Sequence, residues 1–200
     1  MPRQVDHDER RRQIAEAVWR LAVRGGLEQV TLRRAAAEAG VSPRLLQYYF
    51  GTRDQLLLGA LEILNAEAEK QATDRMAGLG EAPSTRAIVR AVLLEMLPLD
   101  EQRHDRHVVY AAYFVRFLVE PALAAVARVA PPELANLMAD LITRAKELGE
   151  APQHIDAAAE GAFLIAGAEG LQAQVLLGQW TAEEAVDVID RQLTRIFTAE

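Results

Sequence analysis

The sequence contains no cysteine and only two serines. No disulfide scaffold, thiolate metal site or cysteine nucleophile is open to it. The serines, Ser42 and Ser84, both stand where helix caps belong, which leaves no serine nucleophile. There is no glycine-rich phosphate loop, no Gly-x-Ser-x-Gly and no His-Glu-x-x-His. His104 and His107 lie three apart, but no third ligand converges with them, so no metal is expected. Glu62, Glu67 and Glu69 read as solvated helix faces rather than an acid–base pair. With no catalytic constellation, neither an enzyme nor a cofactor is expected. Long apolar runs are lacking too. The most apolar stretch, Gly161 to Gly178, is interrupted by Glu169, Gln172 and Gln174, so no membrane span is expected. The N-terminal MPRQVDHDERRRQ is followed by no short apolar segment with a cleavage site, and a cytoplasmic protein is expected.

What is present is ordinary globular composition: 200 residues, 50% apolar and 26% charged. That length suits one large domain or two small ones. The net charge of −7 argues at first against a nucleic-acid partner. Its distribution reverses the argument. Residues 1–55 hold ten arginines against seven acids, and the rest of the chain is strongly acidic. A basic head on an acidic body attracts phosphates locally whatever the total charge.

Apolar spacing is helical nearly throughout, and the predicted fold is all-α with about nine helices. Ile14, Val18 and Leu21 step by four and three, and Gly25-Gly26 ends that first helix. Thr31 caps a short helix closed by Gly40; Ser42 caps the next, with Pro43 at its first position. A long helix runs from Arg53 to about Ala77. Ser84 caps another, apolar residues resume from Val108 to Leu118, and Pro121 and Pro131-Pro132 open two more. A helix from about Gln153 to Leu177 precedes a last one capped by Thr181. The expected division is a head over 1–53 and a body over 54–200.

Thr31 to Phe50, TLRRAAAEAGVSPRLLQYYF, carries the most information. Two short helices meet at Gly40-Val41-Ser42, the tight turn of a helix-turn-helix. Ala35, Ala36 and Ala39 form a small-residue face that permits close crossing, and Val41 and Leu46 are the expected apolar pins. The second helix presents groups that suit a DNA groove. Ser42 and the bare helix N-terminus, led by Pro43, can meet a phosphate. Arg44 can reach guanine, Gln47 an adenine edge and Leu45 a thymine methyl. Tyr48 and Tyr49 can donate to the backbone, with Arg33, Arg34 and Arg53 flanking the groove.

This head resembles the DNA-binding domain of the TetR/AcrR family of bacterial regulators. Members typically carry a Thr, an Ile-Ala pair, Ala-Gly-Val-Ser, a Leu-Tyr pair, aromatics ending in Phe, and a Lys. Here those places hold Thr31, Ala35-Ala36, Ala39-Gly40-Val41-Ser42, Leu46-Gln47, Tyr48-Tyr49-Phe50 and Arg53. Ala35 thins the head core, and Gln47 removes a common phosphate contact. The resemblance implies a homodimer on a palindromic double-stranded operator, with Arg33, Ser42, Pro43, Arg44, Leu45, Gln47, Tyr48, Tyr49 and Arg53 near DNA. It also implies a repressor released by a small-molecule effector. The segments from Leu93 to Val126 and from Glu169 to Leu193 are similar to the BetI-like branch of the family.

In the body, Gly161, Gly167 and Gly170 lower helix propensity, a cost that close helix packing can offset. The family's last two helices form the dimer face. The expected contact set here is Gly161, Leu164, Gly167, Ala168, Leu171, Val175, Ile189 and Leu193, with Trp180 at the seam. The middle helices gather Tyr110, Tyr113, Phe114 and Phe117, with Met96 nearby, as a candidate apolar pocket for the effector. Core filling is the competing reading of each aromatic. A helical interaction module without specific DNA binding also stays open, and it requires the basic head to be incidental.

Overall fold

The computed structural model describes residues 2–127 and 130–198, with side chains described at 7–126 and 132–198. The described residues form ten α-helices and one 3₁₀ turn, Leu27–Gln29, with no strand. The helices are α1 Pro2–Gly25, α2 Leu32–Glu38, α3 Pro43–Phe50, α4 Arg53–Ala77 and α5 Thr85–Glu95. They continue as α6 Glu101–Val119, α7 Pro121–Ala127, α8 Ala130–Glu147, α9 Ala157–Leu176 and α10 Ala182–Ile196.

The caps set most boundaries. Ser84 accepts from the Ala87 N–H, and Asp156 accepts from Ala158 and Ala159. Thr181 and Glu184 form a reciprocal capping box at the start of α10. α6 begins seven residues before the first expected apolar position, because Asp100 accepts from the Arg103 N–H at 2.7 Å and opens the helix there.

The chain packs as two compact units. One comprises the chain up to Lys70 together with Asp105–Val126; the other comprises Gln71–His104 and the chain from Ala127 onward. These limits fall inside α4 and α6, not at residue 53. The first part of α4 buries Leu56, Leu57, Ala60, Leu61 and Leu64 in the same core as Ile14 and Val18 of α1 and Leu46 and Phe50 of α3. α6 adds Val109 and Tyr113 to that core. A three-helix head buries too little on its own, and these two helices supply the rest.

The second unit is built on α5, α8, α9 and α10, whose core includes Leu93, Met138, Ile142, Leu164, Ile165, Ala168, Ile189 and Leu193. Arg90 forks onto both oxygens of Asp190 at 2.6 and 2.9 Å, tying α5 to α10, and holds that carboxyl below the usual range. Gly161 lets α9 press against α8. A Cβ there would stand 2.9 Å from the Ala139 nitrogen and 3.0 Å from the Ala135 oxygen.

The residues of the expected dimer set differ in how far this packing leaves them exposed. Gly161, Leu164, Ala168, Ile189 and Leu193 are buried within the protomer, while Gly167, Leu171 and Val175 are half-buried. α9 is apolar nearly all round, broken only by Glu160, Glu169, Gln172 and Gln174, so its composition carries little sign of which side faces the core. The side left outward is a stripe of Ala159, Ala162, Phe163, Ala166, Gly170, Ala173 and Leu177. These positions share one helix face, turned away from Leu164 and Ala168. Phe163 is 63% exposed and Leu177 69%.

Candidate DNA-reading face

The turn between α2 and α3 is made by backbone chemistry that the residue types dictate. Thr31 accepts from the Arg34 N–H and starts α2. At its far end the Val41 N–H returns to the Ala36 carbonyl and the Gly40 N–H to Ala37, with Gly40 at φ 66°. This paired closure needs a residue in the left-handed region, and glycine enters it without a Cβ penalty. Ser42 then accepts from the Leu45 N–H at 3.1 Å, and Pro43 takes the first helical position. Ala35, Ala36 and Ala39 are buried at the crossing, Leu46 is fully buried beside them, and Val41 is half-buried.

With Leu46 and Phe50 turned inward, α3 shows solvent a contiguous face of Pro43, Arg44, Gln47 and Tyr48. Tyr48 is 73% exposed. Arg33 is exposed on α2, and Ser42 keeps its hydroxyl proton after capping. Leu45 is half-buried at the edge of the face.

Two expected contacts have other partners here. The Arg53 guanidinium donates to the carbonyls of Val30 at 2.7 Å and Leu27 at 2.8 Å, tying the start of α4 to the loop before α2. Its charge remains near the face, but its donors hold the fold. The Tyr49 hydroxyl meets His7 Nδ1 at 3.0 Å. Helix α1 supplies further supports. Gln13 donates to the Ala39 carbonyl at the end of α2, and Trp19 donates to Ala60 in α4. Arg11 donates to the Tyr49 carbonyl and lies 4.9 Å from the Phe50 ring centre. Glu38 of α2 pairs with Arg20 and Arg24, which hold its carboxyl low. None of these α1 residues shows a motif in the sequence. Their partners lie 14 to 42 positions away, which only the fold reveals.

The family described as bacterial regulatory proteins, tetR family, matches residues 14–60. BetI-type transcriptional repressor, C-terminal, matches residues 85–198, more than half of the chain. The chain belongs to the TetR family. Among its curated relatives, the HTH-type transcriptional regulator PksA of Bacillus subtilis is 39% identical over 103 residues, 51% of this chain and 48% of that protein. The HTH-type transcriptional regulator BetI of Brucella anthropi is 34% identical over 84 residues, 42% of each. The matched segment thus spans about half the length of these relatives or less. A transcriptional regulator from Saccharomonospora viridis, solved in complex with choline, has the same fold. Its TM-score is 0.84 at 24% identity, over 96% of this chain and 100% of that one.

The TetR-type body does not bring the five candidate pocket residues together in one core. Tyr113 is fully buried and donates to the Leu57 carbonyl of α4 at 2.8 Å; Phe117 stacks on it at 5.9 Å. Tyr110 donates to Asn65 of α4 at 2.7 Å. Phe114 is 60% exposed, and Met96 packs against the core of the second unit. The two hydroxyls thus brace α6 on α4. Among the described residues no cluster of three or more His, Asp or Glu could hold a metal, and no helix is long and apolar enough to cross a membrane.

Burial pushes the Tyr110 phenol up to about 12 and raises that of Tyr113 above the ordinary value of 10, against the pull of Arg106 and Arg116 respectively. The folded chain therefore keeps these protons where the unfolded chain has released them. Stability is intact below pH 10 and falls as pH rises toward the folded values, by about 1.4 kcal/mol per unit for each tyrosine. Urea unfolding at pH 9 and 11 should show that loss, and Y110F/Y113F should lose markedly less over the same interval. An unchanged pH dependence in the double variant would show that other groups cause it.

Proposed function

We propose that the chain is a homodimeric transcriptional repressor that binds a palindromic double-stranded DNA operator in the cytoplasm and is released by a small-molecule effector. The observation that carries this reading is the exposed face of Arg44, Gln47 and Tyr48 on α3, presented by a capped helix-turn-helix. Residues 1–53 are the reader. Arg44 and Gln47 contact base edges, Leu45 a thymine methyl. Arg33, Ser42, Pro43, Tyr48 and Tyr49 position the head on phosphates, with Arg53 adding charge and holding the loop. Two heads related by a two-fold axis meet successive major grooves about 34–36 Å apart.

The effector acts on α6. Tyr113 and Tyr110 link α6 to Leu57 and Asn65 of α4, and Arg53 at the start of α4 grips Leu27 and Val30. A ligand that engages these aromatic rings, or Phe114 and Phe117 on the same helix, displaces α4 and with it the reading helix. It releases DNA only if it binds the displaced state more tightly. Choline, bound by the Saccharomonospora viridis protein, is a reasonable first compound to titrate.

The test is binding to the DNA flanking the chain's own coding region, as a salt series. Wild type should bind a specific site at about 10⁻⁸ M or tighter and weaken steeply with salt. Arg44→Ala should lose roughly tenfold to a hundredfold at that site. Equal, weak binding to any DNA, unchanged by Arg44→Ala, would favour the helical interaction module instead.

A further inference from the structure

Two residues of α1, one helical turn apart, hold the last turn of α3. Arg11 takes the Tyr49 carbonyl at 3.5 Å. His7 places Nδ1 3.0 Å from the Tyr49 hydroxyl, with the ring centres 5.5 Å apart. Tyr48 packs edge-on against the Tyr49 ring at 5.3 Å. Tyr49 is thus gripped at its ring, its hydroxyl and its main chain. We propose that His7 is a positioning residue for operator binding: it holds Tyr49 beside the DNA and, through its protonation state, directs the Tyr49 hydroxyl proton toward itself or toward a phosphate. This rests on the reading that α3 enters the groove with Tyr49 against the backbone.

The chemistry follows from the donor and acceptor inventory. A phenol has one proton to give, and a phosphate oxygen only accepts. Where the Nδ1 of a neutral imidazole accepts, it takes that proton, and Tyr49 has none for DNA. The other neutral tautomer frees the hydroxyl but adds no charge. Imidazolium does both: Nδ1–H donates to the phenol oxygen, the hydroxyl proton turns outward, and a positive charge stands by the phosphates. Operator affinity should therefore rise as pH falls through the range where imidazoles titrate. The neighbouring ionisable groups are Asp8, Arg10 and Arg11 on α1, Tyr48 and Tyr49 on α3, and, from α4, Glu62, which lines with Arg11 and Tyr49 a groove of about 360 Å³, with Glu67 and Lys70 beside Asp8 and Arg11.

The experiment measures dissociation constants of the full chain for its operator duplex, found in the flanking DNA, at pH 6, 7 and 8 and fixed ionic strength. Wild type should bind about fivefold tighter at pH 6 than at pH 8, from a charge-assisted bond gained. H7N keeps an acceptor for Tyr49 but does not titrate, so it should hold the pH 8 affinity and lose the pH dependence. H7A and Y49F should both weaken binding, and H7A/Y49F should be no weaker than the worse of the two. A pH profile that survives in H7N, or additive losses in the double variant, overturns the proposal. Arg44→Ala separates it from the reading beneath: if Arg44→Ala abolishes specific binding while His7 and Tyr49 act independently, α3 reads DNA and only the His7 role fails.

Discussion

Gly161→Ala should lower the unfolding midpoint by several degrees. The added methyl has nowhere to go: it would stand 2.9 Å from one α8 backbone atom and 3.0 Å from another, with the Met138 Cβ at 3.2 Å. Backbone cannot swing aside as a side chain can, so α9 must back away from α8 and loosen Leu164, Ile165 and Met138 behind it. Overpacking of this kind costs about 1–3 kcal/mol, partly offset by the helix propensity alanine gains, about 1 kcal/mol. For a chain of this size each kcal/mol moves the midpoint about 2–4 °C. Gly170→Ala is the comparison: nothing in the protomer lies within 4 Å of a Cβ there, so any effect it has reports the proposed subunit contact and not the packing of α9 on α8. Thermal unfolding of both at equal concentration checks the argument. Gly161→Ala melting at or above wild type would mean that α8 yields freely and the contact is not tight.

Those two glycines look alike in the sequence, and their difference shows where sequence reading stops. A glycine in an apolar helix signals close approach, but not by whom. Gly161 meets α8 of its own chain; Gly170 faces outward. Features fixed within three or four residues were legible. Thr31, Ser42, Ser84 and Thr181 are caps because a hydroxyl reaches an N–H three residues on, and each does so here. Gly40 turns left-handed for an equally local reason. The start of α6 was missed because EQRHDRH has no apolar rhythm, although Arg106 and His107 in it are buried.

The candidate site divides the same way. The outward face of α3 follows from helical spacing once Leu46 and Phe50 are placed inward. What supports that face does not. The need of a buried phenol for an acceptor is legible in Tyr113, but not that the acceptor is Leu57, 56 positions earlier. Arg53 is basic at a place where the family carries charge, yet its guanidinium is spent on two carbonyls of the head. Sequence spacing ranks residues by what they can do. Long-range geometry decides which of those capacities is left over for a ligand.

Phe163→Asp should leave the protomer folded and separate the dimer. The ring is 63% exposed on the outward stripe of α9, so the protomer loses little core when it goes. In the proposed homodimer, the stripe of Ala159, Ala162, Phe163, Ala166, Gly170, Ala173 and Leu177 would meet its own copy across a two-fold axis, where small residues let the backbones approach. A carboxylate placed there must be desolvated against an apolar surface with no cation to meet it. The variant should sediment as a 22.0 kDa species with unchanged helix content. Its operator affinity should fall about a hundredfold or more, because two tethered heads gain about 10²–10⁴ over one. Arg44→Ala, by contrast, should stay dimeric. Persistence of the dimer in Phe163→Asp would place the subunit face elsewhere on the body. Loss of the dimer with full operator affinity would show that a single head suffices, and the palindrome would then have no structural cause in this chain.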